Sequence, residues 1–195
     1  MVVGVFTPGS VQTNTRVALW TPPALSAWDP LTGRLNASGI AATTRVDLFG
    51  SNLFCAGYSH MADGNVFVAG GQTTANFEGL AKTHLFDYKT NKWFIGPDLA
   101  FPRWYPSVAA LADGQHFVMG GGPDFHEVRR PSNTMETLDN VKFPHTFLYP
   151  FIQTGLDGRI AYFGPDTTLS FIDTRGKGLL ESKGTRDELY RTYGS

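Results

Sequence analysis

Three stretches of this chain repeat one pattern, in which an apolar run leads into an Asp-Gly pair and a second apolar run follows. The pairs are Asp63-Gly64, Asp113-Gly114 and Asp157-Gly158. The second glycine follows the first by 50 residues, and the third follows the second by 44. Because glycine accepts the positive φ angle that tight hairpins demand, each pair predicts a turn between two antiparallel strands. A repeat of this length restricts the fold to small units stacked one after another.

The flanking residues define what each unit contains. The second apolar run ends in Gly70-Gly71 in the first copy and in Gly120-Gly121 in the second, as expected where backbone crowds near an axis. Phe86 precedes Trp93 by seven residues, a spacing typical of the outer hairpin of a kelch blade. The sequence therefore predicts an all-β fold, a kelch-type β-propeller that is partial.

The predicted domain is a single incomplete propeller over residues 1–195. Its blades cover approximately residues 50–100, 101–143 and 144–185. Residues 1–49 form part of a preceding blade, since Trp28 to Leu35 gives a weaker version of the outer-hairpin pattern. Residues 181–190 predict either a short helix or a frayed tail.

Cys55, Tyr105 and Tyr149 each stand eight residues before the Asp of their own repeat. If each repeat is one blade, the three residues occupy neighbouring positions around one axis. A lone thiol beside a phenol at such a place indicates chemistry. The alternatives are ordinary: a single Cys is usually a small buried hydrophobe, and Tyr105 could be a buried aromatic. Tyr149 either lines a pocket mouth or covers the core.

The bulk composition narrows the class of protein. The chain has 195 residues, 42% of them hydrophobic and 17% charged, which predicts a globular domain with a real core. A net charge of −1 gives no electrostatic case for nucleic acid or an anionic membrane as partner. No apolar run is long enough for a membrane span, and one cysteine excludes an internal disulfide framework. The first ten residues lack the pattern of a signal peptide.

Two motifs one repeat apart carry a family resemblance. Leu53-Phe54-Cys55-Ala56-Gly57 followed by Arg103-Trp104-Tyr105-Pro106-Ser107 resembles the galactose oxidase and glyoxal oxidase family of copper-radical oxidases. The third copy, from Leu148-Tyr149-Pro150 to the Asp-Thr-Arg-Gly-Lys-Gly stretch after Ile172, is more similar to the glyoxal-oxidase-like branch. The resemblance covers about residues 45–180. It implies a seven-bladed kelch propeller, of which this chain holds the N-terminal part, about three blades.

The resemblance also implies a reaction and a cofactor. In this family the sulfur of the residue matching Cys55 is bonded to the ring of the residue matching Tyr105, which is a copper ligand and holds a radical. The implied reaction oxidises a primary alcohol or an aldehyde with O2 and gives H2O2. The family's further tyrosine and histidine ligands find no match here, so we expect the isolated chain to be inactive and not to bind copper alone. The resemblance implies an extracellular location.

The substrate and the rival functions follow from departures from the family pattern. Pro123 stands where galactose oxidases carry an aromatic residue, and Pro150 where they carry a galactose-binding arginine, so a small alcohol or aldehyde other than galactose is expected. One alternative is a non-catalytic kelch interaction module or carbohydrate-binding module, in which the Cys55 thiol stays unmodified. The other is a truncated product without independent function.

The remaining polar residues predict structural roles. The three Asp-Gly aspartates serve their turns. We expect Arg103 to anchor its strand through backbone carbonyls and His116 to be exposed to solvent. The five histidines form no set with metal-ligand spacing: His60, His84, His116, His126 and His145.

Overall fold

The structure is a computed structural model that describes residues 2–5, 14–21, 29–32, 34, 42–73, 78–143 and 148–187. These residues form β-strands joined by turns, and they include no helix. The strands are β1 (Val2–Val5), β2 (Arg16–Thr21), β3 (Ala42–Arg45), β4 (Gly57–His60), β5 (Val66–Ala69), β6 (Thr83–Asp87), β7 (Lys92–Ile95), β8 (Ser107–Ala110), β9 (His116–Met119), β10 (Phe125–Arg129), β11 (Met135–Lys142), β12 (Ile152–Thr154), β13 (Ile160–Tyr162), β14 (Thr168–Asp173) and β15 (Leu179–Thr185).

The strands form four antiparallel sheets in which neighbours along the chain are neighbours in the sheet. A three-stranded sheet, β1–β3, comes first and is called here the leading sheet. Three four-stranded sheets follow: the first sheet is β4–β7, the second sheet is β8–β11, and the third sheet is β12–β15. This arrangement confirms the predicted all-β, partial propeller-like fold. The assignment of residues 1–195 to one domain, with the blade boundaries given above, stays a prediction.

The innermost strands of the three four-stranded sheets follow one another in space. β4 contacts β8, and β8 contacts β12. The approach is closest at Gly57, where an added Cβ would lie 2.4 Å from the carbonyl oxygen of Pro106. A side chain at this position would collide with backbone, so the first and second sheets need glycine there.

The Asp-Gly turns lie where the repeat predicts them, between the first and second strands of each sheet. In each turn the aspartate Oδ1 accepts a hydrogen bond from the backbone N–H two residues later, at 3.0 Å for Asp63, 3.1 Å for Asp113 and 3.1 Å for Asp157. The side chain thereby stabilises the turn locally. The structural role predicted for these three carboxylates is confirmed.

Apolar cores fill the spaces between consecutive sheets. The largest lies between the second and third sheets and includes Phe117, Met119, Leu138, Ile160 and Ile172. A second core joins the first and second sheets through Phe67, Ala69, Leu99 and Val118. The leading sheet packs on the first sheet through Val17, Val46 and Phe86. Each sheet is therefore covered on the face it turns to its neighbour.

Two sequence expectations concern the ends of the chain. The stretch 181–190 is neither helix nor frayed tail as far as it is described, because β15 continues to Thr185, paired with β14. The weak pattern from Trp28 to Leu35 begins and ends outside the described residues. Between them lies a turn in which the N–H of Asp29 donates to the carbonyl of Arg34 at 2.8 Å.

Candidate active site

The three registered residues lie just before the innermost strands. Cys55 precedes β4, Tyr105 precedes β8 and Tyr149 precedes β12. All three have positive φ angles, of 63°, 63° and 46° respectively. Residues other than glycine adopt this left-handed region rarely and at a free-energy cost. The repeat therefore reproduces an uncommon backbone conformation as well as a sequence spacing.

Hydrogen bonds between sheets hold these three residues in a row. The N–H of Tyr105 donates to the carbonyl of Cys55 at 2.9 Å, and the N–H of Tyr149 donates to the carbonyl of Tyr105 at 2.7 Å. Each bond joins one sheet to the next, so the row follows the order of the sheets around the axis. The structure thus brings all three candidate residues together.

The side chains of the row are also in contact. The rings of Tyr105 and Tyr149 meet edge to face, with centroids 4.6 Å apart and an interplanar angle of 84°. On its other side Tyr105 meets the ring of Trp104 at 4.3 Å and 85°. The hydroxyl of Tyr149 donates to the carbonyl of Ala56 at 3.4 Å. Tyr105 is therefore fixed between two aromatic neighbours.

Cys55 is half-buried and its thiol interacts with Tyr105. Burial raises the pKa of the Cys55 thiol, and a hydrogen bond with the Tyr105 side chain acts in the opposite direction. The Tyr105 side chain therefore acts on the Cys55 thiol, and the assignment of these two residues to a catalytic site stays a prediction.

A groove of about 480 Å³ adjoins the row. It is lined by the residues that follow Cys55, Tyr105 and Tyr149 at the starts of β4, β8 and β12, and by Tyr149 itself. Large side chains in the lining include Tyr58, Phe151 and Phe163, and among the described residues the lining holds no ionisable group apart from tyrosine phenols. The groove can therefore accept a small molecule whose surface is largely apolar.

Arg103 and Glu127 form an ion pair beneath the segment that carries Tyr105, and both side chains are 0% exposed. One terminal guanidinium nitrogen lies 2.8 Å from Glu127 Oε1, and Nε donates to the same oxygen at 3.0 Å. The expectation that Arg103 anchors backbone is confirmed, since it donates to the carbonyls of Gly120 at 2.9 Å and Phe125 at 2.6 Å. Sequence reasoning missed Glu127. The available signal was a single carboxylate inside the short strand β10, which lies between β9 and β11.

The structure describes four of the five histidines, and three of these are buried. His116 was expected to be exposed, but it is 1% exposed, packed against the ring of Phe67 at 5.0 Å. Burial and the charge of Arg129 lower its pKa. His84 and His126 are also buried, and His145 lies outside the described residues.

No three His, Cys, Asp or Glu side chains of the described residues gather where they could hold a metal ion. The row offers phenol oxygens from Tyr105 and Tyr149 and a sulfur from Cys55. Copper in proteins favours imidazole and sulfur ligands, so the donor set fits copper only if nitrogen ligands come from elsewhere.

Comparisons with known proteins agree with the fold and the motifs. No protein-family model matches the sequence. Two curated galactose oxidases of Gibberella zeae, one of them from strain PH-1, are each 30% identical to this chain over 183 residues. The match covers 83% of this chain, which spans about a quarter of the length of these relatives (25%).

A solved structure shows the same fold. It is described as a novel fungal alcohol oxidase of the AA5 family in complex with copper, and it superposes with a TM-score of 0.64 at 20% identity. The superposition covers 93% of this chain and 43% of that one. The described residues include no helix long and apolar enough to cross a membrane.

Fold and row together define the class of this molecule as an all-β, propeller-like protein in which a cysteine and two tyrosines form a hydrogen-bonded row just before the innermost strands. Within that class, the chain belongs to the galactose oxidase-like family.

Proposed function

We propose that this chain contributes the cysteine–tyrosine pair of a copper-radical oxidase, in which Cys55 and Tyr105 are the catalytic residues. The whole protein would oxidise a primary alcohol or an aldehyde with O2 and release H2O2. One observation carries the proposal: the N–H of Tyr105 donates to the carbonyl of Cys55 at 2.9 Å across two neighbouring sheets, and the Tyr105 side chain acts on the pKa of the Cys55 thiol. The family relationship supports the same interpretation.

The first chemical step of the proposal is a thioether between the two side chains. The Cys55 S–H bond and one ring C–H bond of Tyr105, ortho to the hydroxyl, break as an S–C bond forms. The two side chains together lose two electrons and two protons, and O2 accepts all four and becomes H2O2. The ortho carbon is bonded to the carbon that carries the hydroxyl, so a sulfur held by that hydroxyl lies at the correct end of the ring.

Tyr105 is the residue of this chain that would hold copper. When bound, the metal would take one of the two electrons removed from the substrate, leaving the crosslinked ring to hold the second oxidising equivalent. The rings of Trp104 and Tyr149 both contact that ring edge to face and would orient it. Because a phenol without imidazole holds copper weakly, we propose that nitrogen ligands from outside the described residues are required and that the 195 residues alone do not turn over.

The groove supports a small alcohol or aldehyde as the substrate class. Its lining of Pro106, Val108, Tyr149 and Phe151 offers few hydrogen-bond partners for a sugar with many hydroxyl groups. Pro150 also lines it, at the position where a galactose-binding arginine would be expected. By family resemblance we further propose that the protein acts outside the cell.

The test is formation of the thioether in the full chain. The chain, purified without metal, is incubated in air with a large excess of Cu(II), because Tyr105 and Cys55 alone hold copper weakly, and its intact mass and thiol content after denaturation are followed. We expect a mass loss of two hydrogen atoms together with loss of the thiol, and neither change in Cys55→Ser or Tyr105→Phe. A thiol that stays fully reactive in the unsubstituted chain would contradict the proposal and favour the non-catalytic module.

A second measurement tests the need for further ligands. H2O2 production from methylglyoxal is recorded with the copper-loaded chain, and with buffer copper as the control. We expect no production above the control. Sustained turnover would contradict the statement that ligands from elsewhere are required.

A further inference from the structure

We propose that Arg103 and Glu127 are positioning residues that set Tyr105 against Cys55. This inference deepens the proposed function, because it assigns the buried ion pair to the placement of the tyrosine in that same site. It concerns a pair of side chains that touch neither the groove nor the thiol. Their effect on the site would pass through the backbone of the segment 100–105.

Arg103 and Glu127 clamp that segment from the second sheet. Glu127 lies in β10, and its Oε2 accepts a hydrogen bond from the N–H of Ala100 at 2.7 Å, while its Oε1 accepts two from Arg103. Arg103 spreads its remaining donors over the carbonyls of Gly120 and Phe125. Four of the five N–H donors of Arg103 and both carboxylate oxygens of Glu127 are therefore used within the second sheet and the segment that leads to it.

The backbone of Arg103 is tied equally firmly to the first sheet. Its carbonyl accepts from the N–H of Gly71 at 3.1 Å and of Leu80 at 3.3 Å, and its own N–H donates to the carbonyl of Leu80 at 3.3 Å. The next two residues are held in turn, Trp104 by the carbonyl of Gly121 at 2.6 Å and Tyr105 by that of Cys55. Side chain and backbone of one residue thus join two sheets immediately before the tyrosine.

Three glycines form a slot, defined here as the space that the backbone of residues 103 and 104 occupies. A side chain at any of the three would collide with that backbone. An added Cβ at Gly70 would lie 2.6 Å from the carbonyl oxygen of Arg103, and one at Gly121 would lie 2.3 Å from that of Trp104. At Gly79 it would lie 2.6 Å from the backbone nitrogen of Arg103. The paired glycines of the repeat therefore have a function in this place: they let residues 103 and 104 pass between two sheets in one position.

The chemistry of the pair suits positioning better than stabilisation. A buried ion pair contributes little net stability, because desolvation of both charges offsets their attraction. A guanidinium, however, has planar donors in fixed directions, so it determines where its acceptors lie. Lysine has a single nitrogen and cannot serve Glu127, Gly120 and Phe125 from three positions at once. The geometry of the slot thus depends on arginine specifically.

The experiment compares Arg103→Lys with Arg130→Lys. Arg130 is a matched control, because it also forms an ion pair, with Glu136, and also donates to backbone carbonyls. Its hydrogen-bond acceptors are Gln115, Thr174 and Gly176, and none of them is an acceptor of Arg103. In the metal-free, reduced full chain, NMR contacts between the β-protons of Cys55 and the ring protons of Tyr105 report the placement. We expect Arg103→Lys to lose them and Arg130→Lys to keep them. Thioether formation should slow at least tenfold only in Arg103→Lys.

Each result of this experiment either supports or overturns the positioning role of Arg103 and Glu127. Contacts retained in Arg103→Lys overturn the inference. If Arg103→Lys does not fold, Glu127→Gln is measured in the same way, since it keeps the shape of Glu127 and removes its charge. Failure of both to fold while Arg130→Lys folds would make the pair a stability element and also overturn the inference. If the unsubstituted chain shows the contacts but never forms the thioether, the proposed function fails while the positioning role stands.

Discussion

Three residues of the candidate site have a strained backbone conformation. Cys55, Tyr105 and Tyr149 share the left-handed conformation, which costs roughly 1–3 kcal/mol per residue and persists where surrounding structure enforces it. The backbone hydrogen bonds from Tyr105 to Cys55 and from Tyr149 to Tyr105 hold the three residues in this conformation. Backbone that turns in this way points each side chain toward its neighbour in the row. Strain at equivalent positions of three repeats is consistent with a shared role in presenting side chains.

The thiol of Cys55 should react slowly with alkylating agents at neutral pH. Burial raises its pKa, so the thiolate fraction is smaller than in the unfolded chain, and only the thiolate is nucleophilic. The hydrogen bond from Tyr105 opposes this shift, so Tyr105→Phe should move the pH profile of the iodoacetamide rate further toward alkaline pH. Tyr149→Phe, the same change at the next phenol, should leave the profile where it is. An unchanged profile in Tyr105→Phe would remove the inferred contact between thiol and hydroxyl.

At the residue scale the sequence could predict the row but not its support. Counting eight residues back from the aspartate of each Asp-Gly pair identifies Cys55, Tyr105 and Tyr149 as equivalent positions. The buried partner of Arg103 does not follow, because Glu127 lies 24 residues further on and carries no repeat signal. Long-range pairing of charges depends on how the sheets stack, which a local pattern does not encode.

The hairpins are the elements that the sequence describes best. Asp-Gly pairs predict turns because they supply both a side-chain acceptor and a residue that tolerates positive φ. β15 was missed because most of its residues are exposed and polar, so its sequence resembles a tail. Its strand conformation comes from pairing with β14 over the register from Asp173–Leu179 to Thr168–Thr185. An edge strand of this kind is decided by its partner more than by its own residues.

Trp93 joins two sheets, and its removal should weaken that junction. Its indole Nε1 donates to the carbonyl of Val46 at 2.7 Å, linking the outermost strand of the first sheet to the leading sheet. Trp93→Phe would leave that carbonyl unpaired and create a small cavity, so we expect a loss of about 1–3 kcal/mol in the free energy of unfolding. Urea titration followed by circular dichroism measures it. Trp20→Phe, at a tryptophan that is 40% exposed, should change the value by less than about 0.5 kcal/mol.

Close packing of the innermost strands gives a second prediction for the elements. Gly57→Ala would place a methyl group against the carbonyl of Pro106 and the half-buried side chain of Val108, and the backbone carbonyl cannot move away cheaply. We expect a destabilisation of about 1–3 kcal/mol by overpacking, together with altered NMR shifts across β8. Tyr58→Ala, one residue further along β4 at a side chain that is 68% exposed, is the control. Equal stability of Gly57→Ala and the unsubstituted chain would mean that β4 and β8 are further apart than described.

At the scale of the whole molecule, stacking of sheets explains what sequence patterns leave out. A sheet packed on both faces buries successive residues of its central strands, as in β9, where all four residues are buried. The alternation that separates inside from outside is then lost. The expected exposure of His116 in β9 was wrong for this reason. The number and order of the sheets follow from the repeat, whereas the polar groups trapped between them do not.

These trapped histidines should make the molecule sensitive to acid. Burial lowers the pKa of His84 to about 4, with help from Lys82, and that of His126 to about 3, with help from Arg103. The unfolded chain binds these protons below a pKa of about 6.5, whereas the native chain does not. Stability is therefore complete above that pH and is lost as the pH falls through 6.5 toward 4 and 3. At pH 5 each of these two histidines should lower the free energy of unfolding by about 2 kcal/mol relative to its value at neutral pH.

A substitution separates this effect from general acid denaturation by carboxylates. His126→Phe keeps a ring between Phe117 and Phe143 but has no group to protonate, so its loss of stability between pH 7 and pH 5 should be smaller by about 2 kcal/mol. His60→Gln changes an exposed histidine side chain and is the matched control. Urea titrations of the three proteins at both pH values measure the difference. An equal loss in all three would mean that His126 accepts a proton in the native state, which a side chain 2% exposed between two aromatic rings should resist.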